Sequence, residues 1–308
     1  MFVSRRRDER GCLATNKEGE RTDLSKHRFF QGGKIMDSDS LSYPLGYSAH
    51  ESRRLVAQAV LLADLTKEAL KKAGVGEGMR VLDLGCGPGD VSILAASLVG
   101  ASGSVVGVDR WGPSISIAGE RASAAGLQNV HFVQGELDDF DLDAEFDAIV
   151  GRFILLYLRD PARLLRRVRR RLSQGGAVLF LEVDMSTVSQ VPPSALFAEV
   201  YRWIFGAFSA AGAERDMGAK LLPTFLSAGL PRPEMIAVTP VQSGPDSAYY
   251  EFLSDMVVSM LPIIEREGIA SAMDIDIATL ADRLRQDVVA NERVIFAQRV
   301  VSAWTRVP

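Results

Sequence analysis

From residue 80 onward, short apolar runs alternate with stretches whose apolar positions recur every three or four residues. The runs are Arg80–Leu84, Ser104–Val108, Val130–Val133, Phe146–Val150 and Ala177–Leu181. Between them, helical spacing is expected up to Leu98, up to Ala125 and from Pro161 to Leu172. Strands that are apolar throughout and alternate with helices predict a mainly parallel sheet covered on both faces. A further helix is predicted over residues 48–73, where Leu55, Ala59, Leu62 and Leu65 share one face and Gly74 marks a stop.

The C-terminal third reads differently. Residues 194–211, 216–228, 246–263 and 277–290 have helical spacing, whereas Met235–Val241 and Val294–Trp304 suit strands. No repeat or low-complexity linker divides the chain. Its 308 residues are therefore expected to form one α/β domain over 36–308, with helical insertions at about 187–230 and 245–290. Residues 1–35 are polar, basic and aperiodic and are expected to form a flexible tail. Met36, just before the first organised segment, is an alternative start of translation. Acidic Asp8, Glu9, Glu18 and Glu20 argue against reading the tail as a targeting sequence.

Charge narrows the function classes. Lys and Arg number 35 against 39 Asp and Glu, a net charge of −4. That balance offers no general attraction to nucleic acid or to an anionic membrane. No apolar run approaches the roughly 18–20 residues of a membrane span. Two cysteines, Cys12 and Cys86, suggest no disulfide framework, and a cytoplasmic protein is expected. The histidines, His27, His50 and His131, form no metal-binding pattern, so no metal is expected.

The chemistry concentrates in Val81-Leu-Asp-Leu-Gly-Cys-Gly-Pro-Gly-Asp-Val91. A buried strand enters a loop with glycines at 85, 87 and 89, and a helix follows. The G-x-G-x-G spacing differs from the dinucleotide fingerprint G-x-G-x-x-G. Asp83 would repel a pyrophosphate but suits a cationic amino-acid group. Asp109 ends the next strand, 20 residues after Gly89, where a carboxylate can accept hydrogen bonds from both ribose hydroxyls.

These elements resemble the first two motifs of class I S-adenosylmethionine (SAM)-dependent methyltransferases. Phe132-Val-Gln-Gly135-Glu136-Leu137 is similar to the third, with Glu136 where the family usually has Asp. Phe146-Asp147-Ala-Ile-Val-Gly151-Arg152 resembles the strand that ends beside the transferred methyl group. Pro161 opening a basic helix, then Gly175-Gly176 before the next strand, continues the pattern, so the match covers about residues 45–185. The resemblance implies a Rossmann-like seven-stranded sheet, mostly parallel, with the last strand antiparallel and helices on both faces. It also implies methyl transfer from SAM to a small-molecule acceptor, leaving S-adenosylhomocysteine (SAH). The implied cofactor-binding set is Asp83, Gly85, Cys86, Gly87, Gly89, Asp109, Arg110, Gly135, Glu136, Leu137 and Arg152. On the same scaffold a SAM-using lyase or cyclase, or a non-catalytic SAM-binding module, stays open.

Residues for the acceptor are less defined. Tyr43 and Tyr47 precede the first helix in a segment that often folds over the cofactor as a lid in the family, and Tyr157 and Trp203 are further lid or substrate candidates. His50 is a candidate base, or else caps the helix. Glu182 and Asp184 share one strand face, and Glu182 is the second candidate base. Arg152 is expected to bind cofactor or an acceptor anion, or to pair with Asp147 or Glu182. The basic helix Arg163–Arg171 reads as a solvated face over buried Leu164, Leu165 and Leu172, not as an RNA footprint. Phe205, Phe208, Met217, Leu221 and Phe225 either line an apolar acceptor pocket or pack the core.

Overall fold

The computed structural model describes residues 13–15, 21–23, 43, 45, 49–137 and 144–308. Two compact units are distinguished, residues 1–37 and 38–308. In the first, β1 (Leu13–Thr15) pairs antiparallel with β2 (Arg21–Asp23). The rest of the expected tail lies outside the described residues.

The second unit opens with α1 (Ala49–Lys72). Leu62, Ala69 and Leu70 fall on its buried face. The helix stops at Gly74, whose φ of 78° is open to glycine at no steric cost. The Gly74 N–H bonds to the Lys71 carbonyl and Val75 N–H to the Leu70 carbonyl, each at 2.9 Å, which is a Schellman closure over a buried Val75.

Strands and helices then alternate: β3 (Arg80–Leu84), α2 (Asp90–Val99), β4 (Ser104–Asp109), α3 (Gly112–Ala124), β5 (Val130–Gln134), β6 (Phe146–Arg152), α4 (Pro161–Arg169) and β7 (Leu172–Asp184). Beyond them lie β8 (Ser189–Val191), α5 (Ala195–Ala210), α6 (Met217–Ser227), β9 (Glu234–Val238), β10 (Val241–Gln242), α7 (Tyr249–Arg266), α8 (Ala272–Ile275), α9 (Ile277–Ala290), β11 (Val294–Phe296) and β12 (Arg299–Arg306). The main sheet has the order β5-β4-β3-β6-β7-β12-β9. Strands β3 to β7 pair in parallel, and β12 runs antiparallel to both neighbours. This is the expected Rossmann-like seven-stranded sheet, with the chain's last strand reversed.

Strand β7 shows why the sheet is covered on both faces. Its side chains alternate, so Val178 and Phe180 enter one core and Leu179 and Leu181 the other. Helices α1 and α2 supply apolar residues to the second core, and α4, α5, α6 and α7 to the first. Helix α6 packs directly on β7 and β12, whereas α5, α7 and α9 pack on one another and α1 meets α7. Among the described residues no helix is long and apolar enough to cross a membrane.

Three boundaries differ from expectation. The basic helix ends at Arg169, and β7 already begins at Leu172. Register with β6 then jumps from Phe146↔Leu172 to Ala148↔Ala177. The intervening residues bulge, with Gly175 at φ 76°, so the Gly175-Gly176 pair kinks a strand instead of preceding one. The apolar run Val294–Trp304 is divided: β11 joins β8 and β10 in a small antiparallel sheet, and β12 joins the main sheet. The run is one hydrophobic pattern with two sets of partners, which a local reading cannot separate. Likewise Met235–Val241 is cut at Pro240, which has no N–H for a ladder and whose carbonyl accepts from Ala297 at 2.9 Å.

Glu182, expected as a candidate base, is fully buried inside β7 and does not line the cleft described below. Its Oε1 accepts from the Ile154 and Leu155 N–H groups at 3.0 and 2.7 Å, tying the turn after β6 to β7. Asp184 is also committed: it accepts from the Ser186 hydroxyl at 2.5 Å and pairs with Arg299. Burial raises the Glu182 carboxyl from 4.5 to about 8. The native protein therefore keeps a proton that the unfolded chain has released. That share of stability is complete below about pH 4.5 and is lost as pH rises through about 8. Glu182→Gln retains the accepting oxygen and removes this titration. Its thermal midpoint should fall less between pH 4.5 and 8 than that of the wild type. Part of the slope remains, because buried Asp83, raised to about 7, has the same sign. Identical slopes in the two proteins would refute this role for Glu182.

Candidate functional site

A cleft opens over the carboxyl ends of the central parallel strands, where open α/β sheets bind ligands. One end of it is made by the loop after β3. Gly85, Gly87 and Gly89 all have positive φ, at 67°, 50° and 86°. They need glycine for different reasons. A Cβ on Gly85 would stand 2.7 Å from Ile154 Cδ1, and one on Gly89 would stand 2.9 Å from both Ala118 Cβ and Phe132 Cζ. A Cβ on Gly87 would meet nothing nearer than Leu55 Cδ1 at 4.0 Å. Residues 85 and 89 are thus glycine for internal packing as well, while Gly87 leaves a bare stretch of backbone on the cleft wall.

Asp109 holds this loop. Its Oδ2 accepts from the Gly87 N–H and its Oδ1 from the Trp111 N–H, both at 2.9 Å. Burial raises its pKa, and the two backbone donors oppose that shift. Each carboxylate oxygen retains a lone pair for a further donor from the cleft. The Asp109 carbonyl accepts from the Gly135 N–H at 2.9 Å, bringing the turn after β5 alongside. There Arg110 Nε lies 3.3 Å from Glu136 Oε1, and both side chains, with Leu137 and Trp111, line the cleft. Arg167 of α4 donates to the Leu137 carbonyl at 2.6 Å, so one arginine of the basic helix braces this turn.

Asp83 stands behind the loop, not on its face. It is buried and accepts from Ser92 Oγ at 2.6 Å, while its Oδ1 has no hydrogen-bond partner among the described residues. Burial raises its pKa to about 7. Gly89 and Gly135 also lie off the lining, whereas Gly85, Cys86 and Gly87 are on it. Burial pushes the Cys86 thiol well up, so it stays protonated.

Arg152 lines the cleft but pairs differently from expectation. It donates to Thr66 Oγ1 at 3.0 Å and lies 3.7 Å from Asp90 Oδ2. Asp147 is used instead by the Arg80 N–H and Ser173 hydroxyl, and Glu182 by the turn after β6. Asp90, the first residue of α2, also meets Arg121 at 2.6 Å. Burial lowers the Arg152 pKa, and the Asp90 charge counters it.

The other end of the cleft is formed by α1, the turn after β6, β7 and α7. Tyr43 and Tyr157 stack edge to face with centroids 4.9 Å apart. The Tyr43 hydroxyl donates to Glu51 Oε1 at 2.7 Å, and Arg54 makes two 2.7 Å bonds to the same carboxylate. The Arg54 Nη1 has no hydrogen-bond partner among the described residues. Burial drives both tyrosine pKa values upward. Gln58, Gln298 and apolar Leu156, Met185, Phe208 and Met256 complete the wall.

Trp203 is a correction: it is buried in the core beneath α5, 2% exposed and off the lining, because the inward face of an amphipathic helix took it. Met217, Leu221 and Phe225 are core as well, and Phe205 packs against that core; Phe208 alone of the apolar candidates reaches the cleft. Tyr47 and the side chain of His50 lie outside the described residues.

Trp111, Asp90, Glu51, Arg54 and Gln298 line the cleft without having been singled out from sequence. Asp90 and Trp111 adjoin the motif residues Gly89 and Arg110, and adjacency was a usable signal. Gln298 is brought in from the far end of the chain and carries no local signal.

Comparison with known proteins agrees with this geometry. Residues 76–207 match the methyltransferase domain family. The chain is 34% identical over 146 residues to the 2-phytyl-1,4-naphtoquinone methyltransferase of Synechococcus elongatus, covering 46% of this chain and 61% of that protein. It is 31% identical over 150 residues to the demethylmenaquinone methyltransferase of Staphylococcus aureus, covering 48% and 61%. The match thus spans about three-fifths of these relatives' length. The YcgJ protein of Bacillus subtilis has the same fold, with a TM-score of 0.51 and 17% identity over 77% of this chain and 95% of that one. The match over residues 76–207 identifies a methyltransferase domain, and the glycine loop, strand-end acid and sheet order support placing it with the class I SAM-dependent methyltransferases.

Proposed function

We propose that this protein transfers the methyl group of SAM to a small, largely apolar acceptor. The observation that carries the reading is the Asp109 carboxylate, held at the cleft by the Gly87 and Trp111 N–H groups with lone pairs to spare. Such a group suits two vicinal hydroxyls. The bare backbone at Gly87 admits a ligand at close range, and Arg110, Trp111, Glu136 and Leu137 border the space where a flat base would lie. When bound, SAM supplies an electrophilic methyl on a sulfonium.

The protein's share of the chemistry is then to align an acceptor and exclude water. Tyr43 and Tyr157 keep their protons and so do not serve as bases, and the Tyr43 proton is already given to Glu51. Glu182 is buried away from the cleft and takes no proton from an acceptor. Leu156, Met185, Phe208 and Met256 favour a hydrophobic acceptor. The names of the two relatives, both methyltransferases of quinone-type molecules, support a ring compound bearing oxygen. A cytoplasmic protein with no nucleic-acid partner is consistent with the slightly acidic charge balance.

Calorimetry with SAM and SAH tests the cofactor site. Asp109→Ala should weaken SAM binding by roughly 1–3 kcal/mol, the loss expected for hydrogen bonds to a charged group. Binding equal to wild type would remove Asp109 from the site. With methyl-labelled SAM, label should pass to a reduced quinone in a panel of small aromatic acceptors. SAM binding with no labelled product across ring compounds bearing oxygen would sink the acceptor reading.

A further inference from the structure

Resting on that reading, the cleft must seat a second molecule beside the cofactor. We infer that Gln298 receives it, its amide nitrogen donating to an oxygen lone pair of an uncharged acceptor. Gln298 lies in the turn between β11 and β12, half-buried, on the cleft wall. Its Oε1 accepts from the Tyr249 hydroxyl at 2.7 Å, and the Tyr249 oxygen lies 2.6 Å from that of Tyr201. Tyr201 belongs to α5 and Tyr249 to α7, so two helices distant in sequence converge on one amide.

The direction of this chain follows from counting hydrogens. Tyr201 and Tyr249 are both buried, and burial raises both pKa values, so each keeps its proton. Among the described residues the Tyr201 hydroxyl has Tyr249 as its one hydrogen-bond partner. If Tyr249 donated to Tyr201, the Tyr201 hydrogen would be buried without an acceptor, which folded proteins strongly avoid. Tyr201 therefore donates to Tyr249, and Tyr249 to Gln298 Oε1. That settles which end of the amide faces the tyrosines. The Gln298 Nε2, with two N–H groups and no hydrogen-bond partner among the described residues, is left for an occupant of the cleft. Gln298 is thus a substrate-contacting residue, and Tyr201 and Tyr249 are positioning residues.

The charge of the occupant follows from what is already paired. Glu51 and Arg54 neutralise each other through two bonds, and Asp90 lies beside Arg121 and Arg152. At the apolar end of the cleft a charged acceptor would therefore meet no uncompensated opposite charge, because the Glu51 carboxylate already neutralises the Arg54 guanidinium. With Leu156, Met185, Phe208 and Met256 around it, the site fits a neutral hydrophobic molecule bearing a carbonyl, ether or hydroxyl oxygen.

The test uses full-length protein loaded with SAH and three probes of one size: naphthalene, 1-acetylnaphthalene and 1-naphthoate. Calorimetry should find the ketone bound about tenfold more tightly than naphthalene, and more tightly than the carboxylate. In Gln298→Met and in Tyr249→Phe that preference should shrink to about threefold or less. Naphthalene and SAH affinities should stay within about twofold of wild type. Loss of packing alone would weaken naphthalene too, and that result overturns the assignment. So does an unchanged ketone preference in Gln298→Met, or a wild type that prefers the naphthoate. Wild-type protein that binds neither SAH nor SAM overturns the methyltransferase reading itself, which distinguishes that failure from failure of the inference alone.

Discussion

A carboxylate that accepts two backbone N–H groups from different loops is the constraint on which this molecule depends. Asp109 joins Gly87, on the loop after β3, to Trp111, at the start of α3. Hydrogen bonds to a charged group are worth about 1.5–3 kcal/mol each, against the cost of burying the charge. The net effect is a loop with three left-handed glycines held in one shape above the strand ends. Without that clamp the glycines would be free to sample many conformations, since glycine loses the most chain entropy on ordering.

The same logic of committed polar groups runs through the strands and helices around the cleft. Asp83 ties β3 to α2 through Ser92, Glu182 ties the turn after β6 to β7, and Asp90 gathers Arg121 and Arg152. Each is a buried or nearly buried acid whose partners come from another element. Burial raises the Asp83 and Glu182 pKa values, yet neither lines the cleft. A shifted pKa therefore marks structural acids here as readily as functional ones, and geometry must separate them.

The two ends of the cleft differ in character. The loop end presents backbone, Asp109 and the Arg110–Glu136 pair. The far end presents tyrosines, an internally matched Glu51–Arg54 pair and methionine, leucine and phenylalanine side chains. A polar, charged ligand and a neutral apolar one can thus lie side by side without competing for the same surface. Helix α1, which packs against both α2 and α7, spans the two ends and couples their walls.

The parallel sheet, the glycine loop and Asp109 were legible in the chain, because each depends on local periodicity or on fixed spacing between neighbours; the reversed final strand was implied only by the family resemblance. Strand ends such as Leu172 and the division of Val294–Trp304 were not, since they follow from which partner a strand finds. Trp203 and Glu182 were credible site residues by type, but packing against the sheet carried both into the interior. Gln298 shows the opposite case. An unremarkable glutamine becomes a directed donor because Tyr201 and Tyr249, one hydroxyl behind the other, arrive from two other helices to orient it. Spacing along a chain specifies what neighbouring residues do together; which distant hydroxyl meets which amide is specified by how the helices pack.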